Sequence, residues 1–265
     1  MMLKLYQFEA CPYCEKVRFL LDYKQLPYEK IEVMPGPGQL DLWQISGQTQ
    51  VPVLADNGEF IPDSTAIALY LDRAYPERPL LPTDPHQRGL CLALADWADT
   101  TLGAHSRTAA ISAWLQHSHV RTAALPETTP DWVKALVGAF PGELVSLLGA
   151  SVSAIHPDPV KTAHLALQQA LESLCLMLSQ QAYLLGEQPT LADCAVAGLT
   201  MTLKFPGYQY VDLPKDLCDR GLPGLADDEN YQLFFDWRDR LYADYRQLRG
   251  QNQGDASTPM PIDIE

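Results

Sequence analysis

The stretch Leu3-Lys4-Leu5-Tyr6-Gln7-Phe8-Glu9-Ala10-Cys11-Pro12-Tyr13-Cys14-Glu15-Lys16-Val17-Arg18 decides the fold. Leu3 to Phe8 is a short apolar-rich run with strand character. From Pro12 to about Gln25 the pattern turns helical, with Cys14, Val17 and Leu21 on one face. Working outward, Tyr28 to Val33 alternates, Gly36-Pro37-Gly38 punctuates the chain, and a short helix is expected over Leu40 to Ile45. Val51 to Leu54 and Glu59 to Ile61 read as two strands joined at Asp56-Asn57-Gly58. A further helix starts near Ser64, carries Ile67, Tyr70, Leu71 and Ala74 on its apolar face, and stops before Pro76. Strands and helices thus mix in the first part of the chain.

Prolines crowd residues Pro76 to Pro85, as expected of a linker. Beyond it the periodicity is helical throughout. Leu90, Leu94, Trp97, Ala98 and Leu102 share one face, as do Leu167, Leu171, Leu174 and Leu178. Ala192, Val196, Leu199 and Leu203 form another, and Phe234, Leu241, Tyr245 and Leu248 a last one. The predicted organisation is an α/β domain over residues 1–78, an all-helical domain over 86–249, and a polar, aperiodic tail over 250–265 that reads as disordered.

The chemistry concentrates at Cys11-Pro12-Tyr13-Cys14. A helix N-terminus carries unpaired N–H groups and a partial positive charge, which favour a thiolate over a thiol. In such motifs thiol pKa values fall to roughly 3.5–7.5, so a nucleophile exists at neutral pH. Pro12 suits the first helical position, where its missing N–H has no partner to lose. Cys14 sits one turn further on nearly the same face, able to reach a disulfide formed on Cys11 while less exposed. Cys11 and Cys14 are therefore the predicted catalytic pair. The competing readings are a zinc site and a chance pair of inert thiols. Zinc would require a second Cys/His pair at suitable spacing, and His86 and His105 stand isolated, so no metal is expected.

The chain has 265 residues, 47% hydrophobic and 20% charged, with a formal net charge of -14 and no Lys/Arg cluster, which argues against nucleic acid or an anionic membrane surface as partner. The N-terminal residues lack the order of a secretory signal, and no apolar run reaches the length of a membrane span. A cytoplasmic location follows as the expectation. In that reducing compartment Cys91, Cys175, Cys194 and Cys218, widely separated, read as buried small apolar side chains.

Cys11-Pro12-Tyr13-Cys14, Val51-Pro52-Val53-Leu54, Ile61-Pro62-Asp63-Ser64 and the helical second half together resemble the glutathione transferase superfamily, in its glutaredoxin-like branch of two-domain glutaredoxins and omega-type transferases. Thr190-Leu191-Ala192-Asp193 resembles that family's buried helix start and reads independently as a capping box. The likeness is loose over residues 107–159. It implies a thioredoxin-like N-terminal domain and glutathione as co-substrate. It implies a cis Pro52 that turns the Val51 backbone toward the cysteinyl group of glutathione. It also implies that Asp63 and Ser64 receive the γ-glutamyl end at a helix start, where the alternative is a plain N-cap. Pro12, Tyr13 and Gln50 complete the implied glutathione site. Gln50 stands where many relatives carry a Lys, and Glu9 beside the motif would raise the Cys11 pKa if close, with Lys16 and Arg18 as possible offsets.

The expected activity is thiol–disulfide exchange, or deglutathionylation, through Cys11. One alternative is conjugation of glutathione to small electrophiles, with Tyr6 or Tyr13 near the sulfur. Another is non-catalytic carriage of hydrophobic ligands. For the latter, Trp97, His105, Trp114, Trp132, Phe140, Phe205 and Tyr208 could wall an apolar cleft or simply form core, and residues 129–154 could extend it. The resemblance also implies a possible homodimer.

Overall fold

The computed structural model of the chain describes residues 2–34, 37–116, 130–131, 159–215 and 217–250. A 4-stranded sheet holds β1 (Leu3–Gln7), β2 (Tyr28–Glu32), β3 (Val53–Asp56) and β4 (Glu59–Pro62) in the order β2-β1-β3-β4. β1 and β2 run parallel, with Leu5 opposite Lys30. Parallel neighbours need a crossover, here through helix α1 (Pro12–Tyr23). β3 is antiparallel to β1 and β4, placing Leu54 between Leu5 and Ile61. Asn57 and Gly58 turn the β3–β4 hairpin at φ of 50° and 88°, the left-handed conformation that an Asn-Gly pair adopts readily. β3 starts later than the Val51 run suggests, because Pro52 has no N–H for a ladder and the Val51–Pro52 peptide is cis. Helices α2 (Pro37–Ser46) and α3 (Ser64–Ala74) complete the thioredoxin-like unit, α2 being longer than the expected Leu40–Ile45.

The proline-rich stretch is pinned at several points. Leu80 and Leu81 are buried, the Leu80 N–H donates to Asp72 Oδ1 at 2.6 Å, and the Leu80 carbonyl accepts from the Leu191 N–H at 2.7 Å. Beyond it come α4 (Pro85–Trp97), a π-helical turn at Ala98–Gly103, α5 (Ala104–Gln116), α6 (Pro159–Leu178), α7 (Leu191–Leu199) and α8 (Gln232–Tyr245).

The predicted face of α6 is buried as expected, as are Ala192, Val196 and Leu199 on α7; Leu203 is also buried, but it lies beyond the helix's end at Leu199. Of the face predicted from Leu90, Ala98 and Leu102 are buried as expected, in the π turn, but on α4 itself the buried positions are Cys91 and Ala95. Leu90 is exposed, and Leu94 and Trp97 are half-buried. The small Cys91 and Ala95 let α7 approach closely, so volume, not hydrophobicity, decides which face turns inward. Phe234 and Leu241 are buried on α8, but the helix ends at Tyr245, leaving Leu248 outside it and exposed. Cys91, Cys194 and Cys218 are buried, whereas Cys175 is only half-buried. Residues 251–265, expected as a disordered tail, lie outside the described residues.

The element that organises the molecule is α1. Every residue from Cys14 to Asp22 is buried, charged ones included. Val17, Leu20 and Leu21 join the core shared with the sheet, while the helix lies against α7 and touches α8. Gly198 on α7 makes that approach possible. A Cβ there would fall 2.5 Å from Lys16 Cα and 2.6 Å from Lys16 N, both backbone atoms unable to yield.

Candidate active site

Cys11 is the N-cap of α1, in extended conformation at φ −85° and ψ 120°. Its N–H donates to the Phe8 carbonyl at 3.0 Å, closing the turn out of β1, and its carbonyl accepts from the Glu15 N–H at 2.9 Å. Cys11 is half-buried and Cys14 fully buried. The Cys11 thiol is lowered from 9.0 to about 7. A hydrogen bond with the Cys14 thiol contributes most, burial opposes it, and the N–H groups of Cys14 and Tyr13 and the Arg18 charge add to the lowering. Burial pushes the Cys14 thiol well up, and its bond to Cys11 adds to that. The arrangement therefore separates a ready thiolate from a protonated thiol behind it.

The charged residues flanking the motif divide into two sets. Arg18 reaches back to the Glu9 carbonyl at 2.8 Å, to Glu9 Oε2 at 3.4 Å, and through Nε to Glu15 Oε2 at 2.6 Å. Glu9 also meets Lys30 Nζ at 3.4 Å and accepts the Asp212 N–H at 2.8 Å. Although burial opposes ionisation, Arg18, Lys30 and those hydrogen bonds hold Glu9 far below the usual carboxylate range. The feared effect of Glu9 on Cys11 is thus offset at source, and Arg18 does act on the thiol. Lys16 does not turn to Cys11. Its Nζ binds both Asp99 oxygens, at 2.8 and 2.7 Å, and Thr65 Oγ1 at 2.7 Å. Asp99 lies in the π-helical turn, and its carbonyl accepts the Tyr13 hydroxyl at 2.9 Å. A π turn, which widens the helix locally, presents both oxygen types to one neighbour.

Strand register brings the other expected residues to the same end of the sheet. Val53 lies opposite both Tyr6 and Pro62. Val51 and Pro52 therefore continue alongside the chain leaving β1 toward Cys11, and Asp63-Ser64 follow from β4 at that level. Asp63 is the N-cap of α3 at a φ of 69°, exposed, its Oδ1 accepting from the N–H groups of Thr65 and Ala66, both at 2.9 Å. Ser64 and Pro52 are buried, Val51 is half-buried, and Gln50 is exposed.

At the opposite side of the motif, Phe205 packs with Ala10, Met201, Val211 and Leu213 in a small buried cluster. It is therefore core. Trp97 and His105 are half-buried. Tyr208 is exposed and covered by cations, Arg249 at 4.3 Å and Lys215 at 4.8 Å from its ring centre, which does not make it part of an apolar cleft. The side chains of Trp114, Trp132 and Phe140 lie outside the described residues. In the second half, Asp193 closes the predicted capping box. Its Oδ2 accepts the Thr190 N–H at 2.8 Å and the Thr190 hydroxyl at 2.9 Å, and its Oδ1 accepts the Leu184 N–H at 2.8 Å. Sequence reasoning missed Asp99, Thr65 and Arg246. The usable signal was the run of charges on α1 (Glu15, Lys16, Arg18, Asp22), which needs partners once that face is covered.

A thioredoxin-like unit with a cysteine at its first helix start is thus joined to a helical bundle. Residues 5–79 match the family model described as glutathione S-transferase, N-terminal domain. The chain is 42% identical over 91 residues to glutathione S-transferase Z2 of Arabidopsis thaliana, 33% of this chain and 41% of that one. Over 56 residues it is 50% identical to prostaglandin E synthase 2 of Danio rerio, 21% of this chain and 14% of that one. The chain thus spans less than half the length of these relatives. A solved glutathione S-transferase from Rhodospirillum rubrum F11 superposes with a TM-score of 0.63 at 18% identity, covering 91% of this chain and 88% of that one. The match to the glutathione S-transferase family model is thus confined to the N-terminal residues 5–79, while the whole fold is of the type seen in that solved structure.

Proposed function

We propose that this protein is a glutaredoxin-like member of the superfamily that uses glutathione to reduce disulfides through Cys11. The observation that carries it is the pairing of a half-buried N-cap thiol lowered to about 7 with a buried thiol one turn behind it. In the first step the Cys11 thiolate attacks the glutathionyl sulfur of a mixed disulfide. The S–S bond breaks and the second thiol leaves as a thiolate that takes a proton. A glutathione thiolate then attacks the Cys11 mixed disulfide, giving glutathione disulfide and regenerating Cys11. Cys14 offers a second exit, by forming an intramolecular disulfide.

The register that carries Val51 alongside the chain leaving β1 supports a glutathione backbone contact there, and Ser64 at the start of α3 supports binding of the γ-glutamyl carboxylate. Exposed Asp63 can meet the ammonium while capping α3 through one oxygen. Gln50 offers a hydrogen bond without charge. Conjugation through a tyrosine has less support: the Tyr13 hydroxyl is bound to the Asp99 carbonyl, and burial raises both Tyr13 and Tyr6. We place the protein in the cytoplasm as a homodimer, and light scattering giving a mass near 29.5 kDa would remove the dimer. The functional test is reduction of a small glutathione mixed disulfide. Cys11→Ser should abolish it and Cys14→Ser should retain most of it. Equal loss in both variants would refute the assignment.

A further inference from the structure

We propose that Arg107 selects the second substrate at Cys11, favouring a disulfide or electrophile whose departing portion carries a carboxylate or other anionic group. This rests on the glutathione-dependent chemistry proposed above. Gly103 lies directly against Tyr13, since a Cβ there would fall 2.8 Å from the Tyr13 hydroxyl oxygen and 2.9 Å from its ring. The backbone continues helically through Ala104 into α5. Arg107, one turn on, therefore stands on the face that meets Tyr13, the residue between the two cysteines.

Its charge reaches the Tyr13 hydroxyl, as do Asp99, Cys11 and Asp63. The carboxylates of this neighbourhood, Asp99, Asp63 and Asp96, all act on buried Lys16, and Asp99 is bound to it. Asp63 also caps α3. Arg107 is exposed and makes no ion pair or hydrogen bond among the described residues. A solvated cation beside Tyr13, the residue between the two cysteines, is a local attractor for anions in a chain whose net charge of -14 otherwise repels them. Val51 and Ser64 belong to the sheet-bearing unit, whereas Arg107 belongs to α5 of the helical half. The group it meets is accordingly the portion of the substrate that is not glutathione.

The test uses glutathione mixed disulfides of one size and differing charge: 2-carboxyethyl, 2-hydroxyethyl and 2-aminoethyl. Rates are normalised to those with free glutathione alone. Wild type should favour the carboxyethyl over the hydroxyethyl compound by about tenfold in kcat/KM, a ratio equivalent to ~1.4 kcal/mol. Arg107→Gln should bring that ratio near one, and Arg107→Glu should favour the aminoethyl compound. An unchanged ratio in Arg107→Glu overturns the proposal. So does a rise in the glutathione KM with equal losses on all three disulfides, which would mean that Arg107 holds glutathione itself. Alkylation of Cys11 by iodoacetate and iodoacetamide, mapped by mass, reads the same charge without turnover. A shifted alkylation ratio in Arg107→Glu with no disulfide reduction in wild type would refute the redox assignment while leaving the Arg107 field intact. An unshifted alkylation ratio refutes the Arg107 inference whatever the turnover.

Discussion

Replacing Arg246 by Met tests how the two halves are held together. Arg246 follows α8, and its side chain is 2% exposed. Nε donates to Glu15 Oε1 at 2.9 Å, Nη2 to Glu15 Oε2 and to the Tyr210 carbonyl at 3.3 Å each, and Nη1 to Asp22 Oδ2. Glu15 is fully buried and Asp22 nearly so. Methionine matches much of the volume but leaves Glu15 sharing Arg18 alone, and Asp22 with only the Gln247 N–H, which donates at 3.1 Å.

Breaking a buried ion pair from one side costs about 3–5 kcal/mol, because the remaining charge keeps its desolvation penalty. For a chain of this size each kcal/mol corresponds to roughly 2–4 °C, so the Tm should fall by roughly 6–20 °C. The pH dependence has a definite sign. Although burial opposes ionisation, Arg246 and Arg18 hold Glu15 below its usual value. That contribution is fully present above the unfolded carboxylate pKa of about 4.3 and is lost as pH falls through the lower folded value. The deficit of Arg246→Met should therefore be largest near neutrality and shrink in acid. Urea unfolding at pH 7 and pH 4 measures it, and a cycle with Glu15→Gln isolates the pair. A loss below about 1 kcal/mol, or strictly additive singles, would refute the view that this network joins the domains.

Gly198→Val should be worse than an ordinary overpacking change, costing about 3 kcal/mol or more, because its Cβ meets the Lys16 backbone. Thermal unfolding would show this, and a wild-type Tm would mean that α1 and α7 are not so close. Cys14→Ala removes the largest influence that lowers the Cys11 thiol, so the pH midpoint of Cys11 alkylation should rise above its wild-type value. An unchanged midpoint would assign the lowering to the helix start alone.

The local signals were legible because they are local. The strand, the N-terminal Pro12 and the Asn57-Gly58 turn are each settled by neighbours in sequence, and Thr190–Asp193 is a four-residue device. Faces packed by distant elements were not. Periodicity put Val17 and Leu21 inward on α1 but named no partner for Glu15, Lys16, Arg18 or Asp22 beyond a role of Lys16 and Arg18 near Cys11. They meet Asp99, Arg246 and one another. Glu15 and Arg246 lie at opposite ends of the chain, and nothing in either segment specifies the other. The irregular stretch after α7 carries no periodicity, yet it delivers the Asp212 N–H to Glu9 and the Tyr210 carbonyl to Arg246. At the candidate site the cysteines, Pro52 and Asp63-Ser64 were readable as motifs. Arg107 and Asp99 were not, since their relation to Tyr13 exists only once the π turn is packed on α1 and α5 continues from it.

The central claim is that Cys11 is a thiolate nucleophile at physiological pH. The rate of Cys11 alkylation by iodoacetamide, followed against pH in the wild-type chain with the adduct located by mass, tests it most directly. A midpoint near 7 is predicted, so that about half the thiol is ionised at neutrality. A midpoint at or above the free-cysteine value of about 8.5 would contradict the account.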